Sequence, residues 1–306
     1  MTYINNLDHL LMSTIIYVHT GDSFYLLPNL LHTRAYNPNA KIILLGDKKN
    51  AYVEEWGFEH FLLDEYMNLA HQFEQVYVHY SPNSYQFELF CFQRWFAISE
   101  FAQKQHLEKF LVCDTDAFLY CNIDDEFDKY SNVDFTITRN GTPCFTYFSK
   151  DSIKRFVEYI TWCYTSEVGK KRIEDYHQRL VDSNKDYGIS DMSAFVAWEQ
   201  LGGAMAIHVD VPNKSIAYDH NFIDVNDGYK MDGSHKLIAW ENDIPYEFLA
   251  STGEKIMIKG IHLQGKSKYL IHKMIPYKYI KPVLGFYLKE IVKYRLRTFK
   301  HKILKS

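Results

Sequence analysis

No two of the five cysteines, Cys91, Cys113, Cys121, Cys144 and Cys163, form a Cys-x-x-Cys pair, and their number is odd. This usage speaks against a disulfide framework and a cysteine-rich zinc site, and it points to a reducing compartment. No secretory signal is apparent either. The apolar stretch 10–18 is too short to span a bilayer and lacks a basic leader, so it reads as a buried strand, Thr14 to Val18. Internal repeats and low-complexity linkers are missing as well. The expectation is a cytoplasmic globular protein, with 306 residues enough for one large domain or two modest ones. Aromatic residues, by contrast, are plentiful: 24 Tyr and 21 Phe. Rings of this kind fill cores and also stack on sugars and bases.

Charge is unevenly spread. Residues 266–306 contain twelve Lys/Arg and one acid, Glu290, whereas the rest of the chain holds 22 bases and 37 acids. The overall charge of −4 therefore combines an acidic body with a basic tail. An acidic body without a recognisable binding motif argues against a nucleic-acid partner.

Short apolar runs alternate with helical patterns through the first half. Ile15-Ile16-Tyr17-Val18 is followed by the polar turn His19-Thr20-Gly21-Asp22, and 24–34 has helical spacing that Asn37-Pro38 stops. A second strand at 41–45 closes on Gly46-Asp47. A long helix at 84–105 would line Phe87, Phe90, Cys91, Trp95, Ile98 and Phe101 along one side, and 109–113 is a third strand. The pattern predicts a mixed, mainly parallel α/β sheet flanked by helices. Ligands of such sheets bind beyond the carboxyl ends of the strands, where Asp22, Asp47 and Asp114 all fall. Further helices are expected at 152–164 and 189–201, with short strands at 206–211 and 255–261 among turn-rich segments. One catalytic domain over residues 1–265 with a tail at 266–306 is the simplest division.

Asp114-Thr115-Asp116 directly follows the third strand, which sets two carboxylates at a sheet edge. Hard oxygen ligands of this kind suit Mn²⁺ or Mg²⁺, which can bridge to phosphate oxygens and offset charge on a diphosphate leaving group. Alone, the tripeptide is also compatible with a solvated acidic turn, since Asp124, Asp125 and Asp128 lie close downstream. A phosphatase of the haloacid-dehalogenase type uses a similar pair, but near the chain start and with Thr or Val where Phe118 stands here.

The segment Phe90-Cys91-Phe92-Gln93-Arg94-Trp95-Phe96, followed by Phe110-Leu111-Val112-Cys113-Asp114-Thr115-Asp116, resembles retaining GT-A-fold glycosyltransferases of the family 8 type. His262-Leu263-Gln264-Gly265-Lys266-Ser267-Lys268 is similar to that family's His-x-x-Gly-x-x-Lys element. The resemblance implies a metal held by Asp114, Asp116 and His262, and a nucleotide-sugar donor contacted by Asp114, Arg94, Gly265 and Lys268. Thr20 and Asp22 resemble the nucleotide-contacting turn. Gly188-Ile189-Ser190-Asp191-Met192 loosely matches an acidic segment near the sugar ring, which makes Asp191 the candidate catalytic carboxylate. Two residues keep another reading: Arg94 as a surface partner of Glu88, and Asp191 as the N-cap of the following helix. The family's Pro-Trp after the late lysine is replaced by Tyr269-Leu270.

The implied activity is transfer of a sugar from a nucleotide-sugar, a UDP-sugar, to a hydroxyl of a glycan or lipid-linked acceptor in surface polysaccharide synthesis, with retention. The alternatives are a nucleotidyltransferase and a non-catalytic glycan- or membrane-binding module on the same fold. In the tail, Leu284, Leu288, Ile291, Tyr294 or Arg295, Phe299 and Ile303 recur at helical spacing among lysines and arginines. Such a helix suits the anionic inner face of a membrane, or it could pack on the body.

Overall fold

The computed structural model describes residues 13–183 and 188–276, with the single positions 281, 285, 288 and 292. Its strands are β1 (Thr14–Val18), β2 (Lys41–Gly46), β3 (Glu59–Leu62), β4 (Lys109–Cys113), β5 (Ala117–Leu119), β6 (Phe135–Ile137) and β7 (Phe145–Ser149). The shorter second half adds β8 (Ala206–His208), β9 (Ile216–Asp219), β10 (Met231–Asp232), β11 (His235–Lys236), β12 (Ile238–Glu241), β13 (Ile244–Phe248) and β14 (Lys255–His262). The helices are α1 (Leu26–Tyr36), α2 (Asn68–Glu74), α3 (Tyr85–Lys104), α4 (Asp124–Phe127), α5 (Lys150–Thr165), α6 (Glu167–Asp182), α7 (Asp191–Gly202) and α8 (Ile271–Met274).

Seven strands form one sheet in the order β3-β2-β1-β4-β7-β6-β8. All neighbours are parallel except those of β7, which runs antiparallel to β4 and β6. The strands read as unbroken apolar runs because both faces are covered. Ile15, Tyr17, Ile42, Leu44 and Leu111 enter one core with α1 and the second sheet. Their alternates Ile16, Ile43, Leu45, Phe110 and Val112 enter another beneath α3, α5 and α7. Burying a large apolar side chain contributes about 1.5–3 kcal/mol, so an inward position on either face is costly to make polar.

The second sheet, β12-β13-β14-β5 with β9 alongside β14, is joined to the first through β5. The chain leaves β4 at Cys113, turns through Asp114-Thr115-Asp116, and re-enters a sheet at Ala117 opposite His262 of β14. The acidic turn thus lies where the two sheets meet.

One sequence reading is adjusted. The apolar side of α3 is not a single stripe: Phe87 is 58 % exposed, Phe90 and Cys91 are half-buried, and Leu89, Phe92 and Phe96 face the core instead. From Trp95 to Ala102 every residue is buried, because the helix is enclosed on all sides there. Beyond residue 265, Ile271, Met274 and Ile275 are buried in the inter-sheet core, and the Tyr120 hydroxyl donates to the Met274 carbonyl at 2.9 Å. Apart from Leu288, which is exposed, the residues of the tail stripe lie outside the described residues. Among the described residues, no helix is long and apolar enough to cross a membrane.

Candidate active site

The turn carrying the two aspartates is held rigidly from behind. Asn29 of α1, fully buried, donates its amide to the carbonyls of Thr115 at 2.8 Å and Ala117 at 3.0 Å. The Leu263 N–H bonds the Asp116 carbonyl at 2.8 Å, and the Thr115 hydroxyl meets His19 Nδ1 at 3.0 Å. Backbone and Thr115 side chain are thereby used inward, and the carboxylates are left to the site.

His262 ends β14 beside them. Its Nε2 lies 3.3 Å from Asp116 Oδ1 and 3.8 Å from Asp114 Oδ2. Its Nδ1 faces the His220 carbonyl at 2.9 Å. A carbonyl only accepts, so Nδ1 must carry a proton and donate it. Lys268 closes the group, with Nζ 2.5 Å from Asp116 Oδ2. It rides on a short turn, Gly265–Leu270, that opens with Gly265 at φ +57°, a backbone state that glycine adopts without strain.

Electrostatics follow from this crowding. Burial alone would raise the Asp116 carboxyl, but His262 and Lys268 outweigh it and hold it well below the usual carboxylate range. For His262 and Lys268 burial disfavours the charge, and Asp116 more than compensates, so both are shifted up. One ligand atom each from Asp114, Asp116 and His262 lies within 4.8 Å of the others. Two carboxylates and an imidazole whose tautomer is fixed by a carbonyl fit a divalent cation such as Mn²⁺ or Mg²⁺.

Arg94 joins this group to Asp191. Its Nη1 donates to Asp114 Oδ1 at 2.6 Å and its Nη2 to Asp191 Oδ2 at 2.9 Å, while Trp95 Nε1 donates to the same Asp191 oxygen at 3.0 Å. Burial opposes the guanidinium charge, but Asp114 and then Asp191 overcome it and shift Arg94 upward. The two alternative readings of these residues fall away. Glu88 is taken by the Ser81 hydroxyl and the Asn83 amide, at 2.7 and 2.9 Å. The cap of α7 is Ser190, in a capping box with Ser193, which leaves the buried Asp191 facing Arg94.

Five of the residues singled out in the sequence, Arg94, Asp114, Asp116, Asp191 and His262, form one chain of polar contacts, and Lys268 joins it through Asp116. Thr20 and Asp22 do not enter it. Both are exposed, and Asp22 accepts from the Tyr52 hydroxyl at 2.9 Å. In their turn it is His19 that touches the acidic motif, through Thr115, with its other ring nitrogen 3.0 Å from the Ser23 hydroxyl. Tyr25 adds a half-buried ring 5.5 Å from Lys268 Nζ. Sequence reasoning missed His19, Tyr25 and Asn29. The available signal was an asparagine between two apolar pairs, Leu26-Leu27 and Leu30-Leu31, and a polar cluster at the end of β1.

No family model and no curated protein matches the sequence. Among solved structures, the fold is similar to mouse xyloside xylosyltransferase 1 in its apo form, at 9 % identity and a TM-score of 0.48, over 68 % of this chain and 87 % of that one. It is similar also to an active-site mutant of LgtC, at 9 % identity and a TM-score of 0.46, over 87 % and 98 %. A third is the galactosyltransferase LgtC with donor and acceptor sugar analogues, at 10 % identity and a TM-score of 0.39, over 68 % and 75 %.

Proposed function

We propose that this protein is a metal-dependent glycosyltransferase that moves a sugar from a nucleotide-sugar, a UDP-sugar, to a hydroxyl of a glycan or lipid-linked acceptor. The observation that carries the reading is the meeting of Asp114, Asp116, His262 and Lys268 from two distant stretches of sequence at the junction of the two sheets. A divalent ion held there by Asp114, Asp116 and His262 would supply charge neutralisation for the departing diphosphate. Lys268 is poised to exchange Asp116 for a phosphate oxygen, because its turn is short and its side chain stays 24 % exposed. The neighbouring Tyr25 and His19 offer a ring and a polar edge to the nucleotide.

Arg94 spends both terminal nitrogens on carboxylates. That favours an orienting role, in which it keeps Asp114 and Asp191 at fixed separation, over a direct grip on the donor. Asp191 is the carboxylate assigned to the reacting sugar. Held by Arg94 and Trp95, it can stabilise positive charge that develops at the anomeric carbon, and retention at that carbon belongs to the same proposal.

Asp116→Asn provides the test. The variant should fold and lose metal-dependent release of UDP from a panel of UDP-sugars. Calorimetry should show Mn²⁺-dependent UDP binding in the unaltered protein and little in the variant. Full transfer by Asp116→Asn would refute metal catalysis at this site, and UDP binding that ignores Mn²⁺ would favour a binding module.

A further inference from the structure

A second group of charges stands directly behind His262. Strand β9 runs beside β14 with Asp219 opposite Ile261, so the next residue, His220, reaches the following residue of β14, His262. The bond between the His220 carbonyl and His262 Nδ1 decides which ring nitrogen faces Asp114 and Asp116. What fixes that carbonyl is the turn in which it lies. Asp219 Oδ1 accepts the Asn221 N–H at 3.0 Å, closing the turn around His220. Lys236 donates to the same oxygen, and at 3.0 Å to Asp227 Oδ2. The Lys236 backbone N–H also bonds the Phe222 carbonyl at 3.0 Å. Lys236 and Asp219 are almost completely buried, at 1 % and 2 % exposure.

Asp219, His220 and Asp227 by themselves have the spacing of a cation site. The Lys236 ammonium bonds both carboxylates, however, so an internal cation already occupies the position between them. Nor is it an efficient source of stability. Removing a lysine and an aspartate from water costs several kcal/mol each, and well-packed apolar residues would serve as well or better. Its use is geometric: it ties β9, the turn and β11 together at one oxygen, one residue from the carbonyl that His262 depends on.

We propose that Lys236 and Asp219 are positioning residues, which hold the His220 carbonyl so that His262 presents Nε2 to the site shared with Asp114 and Asp116. The inference rests on the metal reading of that site. Partners that orient a metal-bound histidine are worth about 10- to 100-fold in metal affinity.

The test is Mn²⁺ uptake by the full chain, followed by electron paramagnetic resonance as the free-ion signal disappears, with and without UDP. Lys236→Met should weaken uptake about 10- to 100-fold. Should the unpaired carboxylates prevent folding, Lys236→Met/Asp219→Leu removes charge and partner together, and the same weakening is expected from a chain with a cooperative melt. The deciding comparison is a cycle with His262→Ala. If the network acts through the imidazole, Lys236→Met has less than about a twofold further effect once the ring is gone. A folded Lys236 variant with unaltered Mn²⁺ affinity, or an undiminished effect in the His262→Ala background, overturns the proposal while leaving the metal reading intact. Absence of Mn²⁺ uptake by the unaltered protein overturns both.

Discussion

The two groups of charges on either side of the His220 carbonyl are built from the same parts, and they differ in what can reach them. Around His262 the side chains of Asp114, Asp116 and Lys268 are 20 %, 13 % and 24 % exposed, and the lysine comes from a short turn beyond the end of β14. Around Lys236 the lysine and Asp219 side chains are 1 % and 0 % exposed, and both belong to strands. An ion pair that solvent can reach and a loop can release is able to trade its partner for a ligand. A pair sealed among strands has no such option and can act only as scaffold. Composition alone would not separate them, but access does.

Substitutions at matched positions sharpen this contrast, and the largest effect belongs to the open group. Asp116→Asn should lower sugar transfer by about 10³-fold or more while the chain keeps a cooperative melt. Lys236→Met/Asp219→Leu should lose transfer only in proportion to Mn²⁺ affinity and recover it as Mn²⁺ is raised. Recovery of Asp116→Asn by excess Mn²⁺, or no recovery in the double variant, would erase the distinction.

Removing each lysine tests the comparison through stability. Lys236→Met leaves buried carboxylates uncompensated and should cost about 3–5 kcal/mol in urea unfolding. Lys268→Met breaks a pair that is partly exposed and should cost about 1 kcal/mol or less, but it should reduce transfer by about 10²-fold by withdrawing positive charge from the leaving group. Equal losses of stability at the two positions would mean that the open group is scaffold as well.

The open group was largely legible in the sequence, the closed one not at all. Asp114 and Asp116 follow an apolar strand, and His262 with Lys268 shares a compact motif, so local spacing carries the signal. Asp219, Asp227, Lys236 and Glu247 come from four segments whose pairing depends on how β9, β11, β13 and β14 associate, and each alone looks like an ordinary surface charge. Local reading also gave no sign of the contact between the first turn and the acidic motif. Thr20 and Asp22 were the conspicuous polar residues there, but the chain leaves β1 so that His19, one residue earlier, faces Thr115. The face of α3 was misread for a related reason. Periodicity finds a stripe only where a helix has a solvent side, and α3 has none between Trp95 and Ala102. The fold class was readable because the alternation of apolar strands and helices needs no tertiary knowledge.

The most gradual effect concerns protons, and it runs in opposite directions in the two groups. Asp116 is shifted down, whereas Glu247, fully buried beside Asp219, is shifted well above its ordinary 4.5, first by burial and then by the Asp219 charge. Burial and the Asp219 charge thus both favour the protonated form of Glu247 within the closed group. A carboxyl whose folded value is raised adds stability that is fully present below pH 4.5 and is lost as pH rises toward the folded value. Over that window it should remove up to about 1.4 kcal/mol per pH unit from the unaltered protein. Glu247→Gln keeps the shape and has no proton to lose, so its stability should not carry this decline. Urea unfolding at a series of pH values above 4.5 should show the variant gaining on the unaltered protein as pH rises toward the folded value. A difference that stays constant with pH would mean that Glu247 is charged in the fold, and that the closed group adds a third carboxylate charge to those of Asp219 and Asp227.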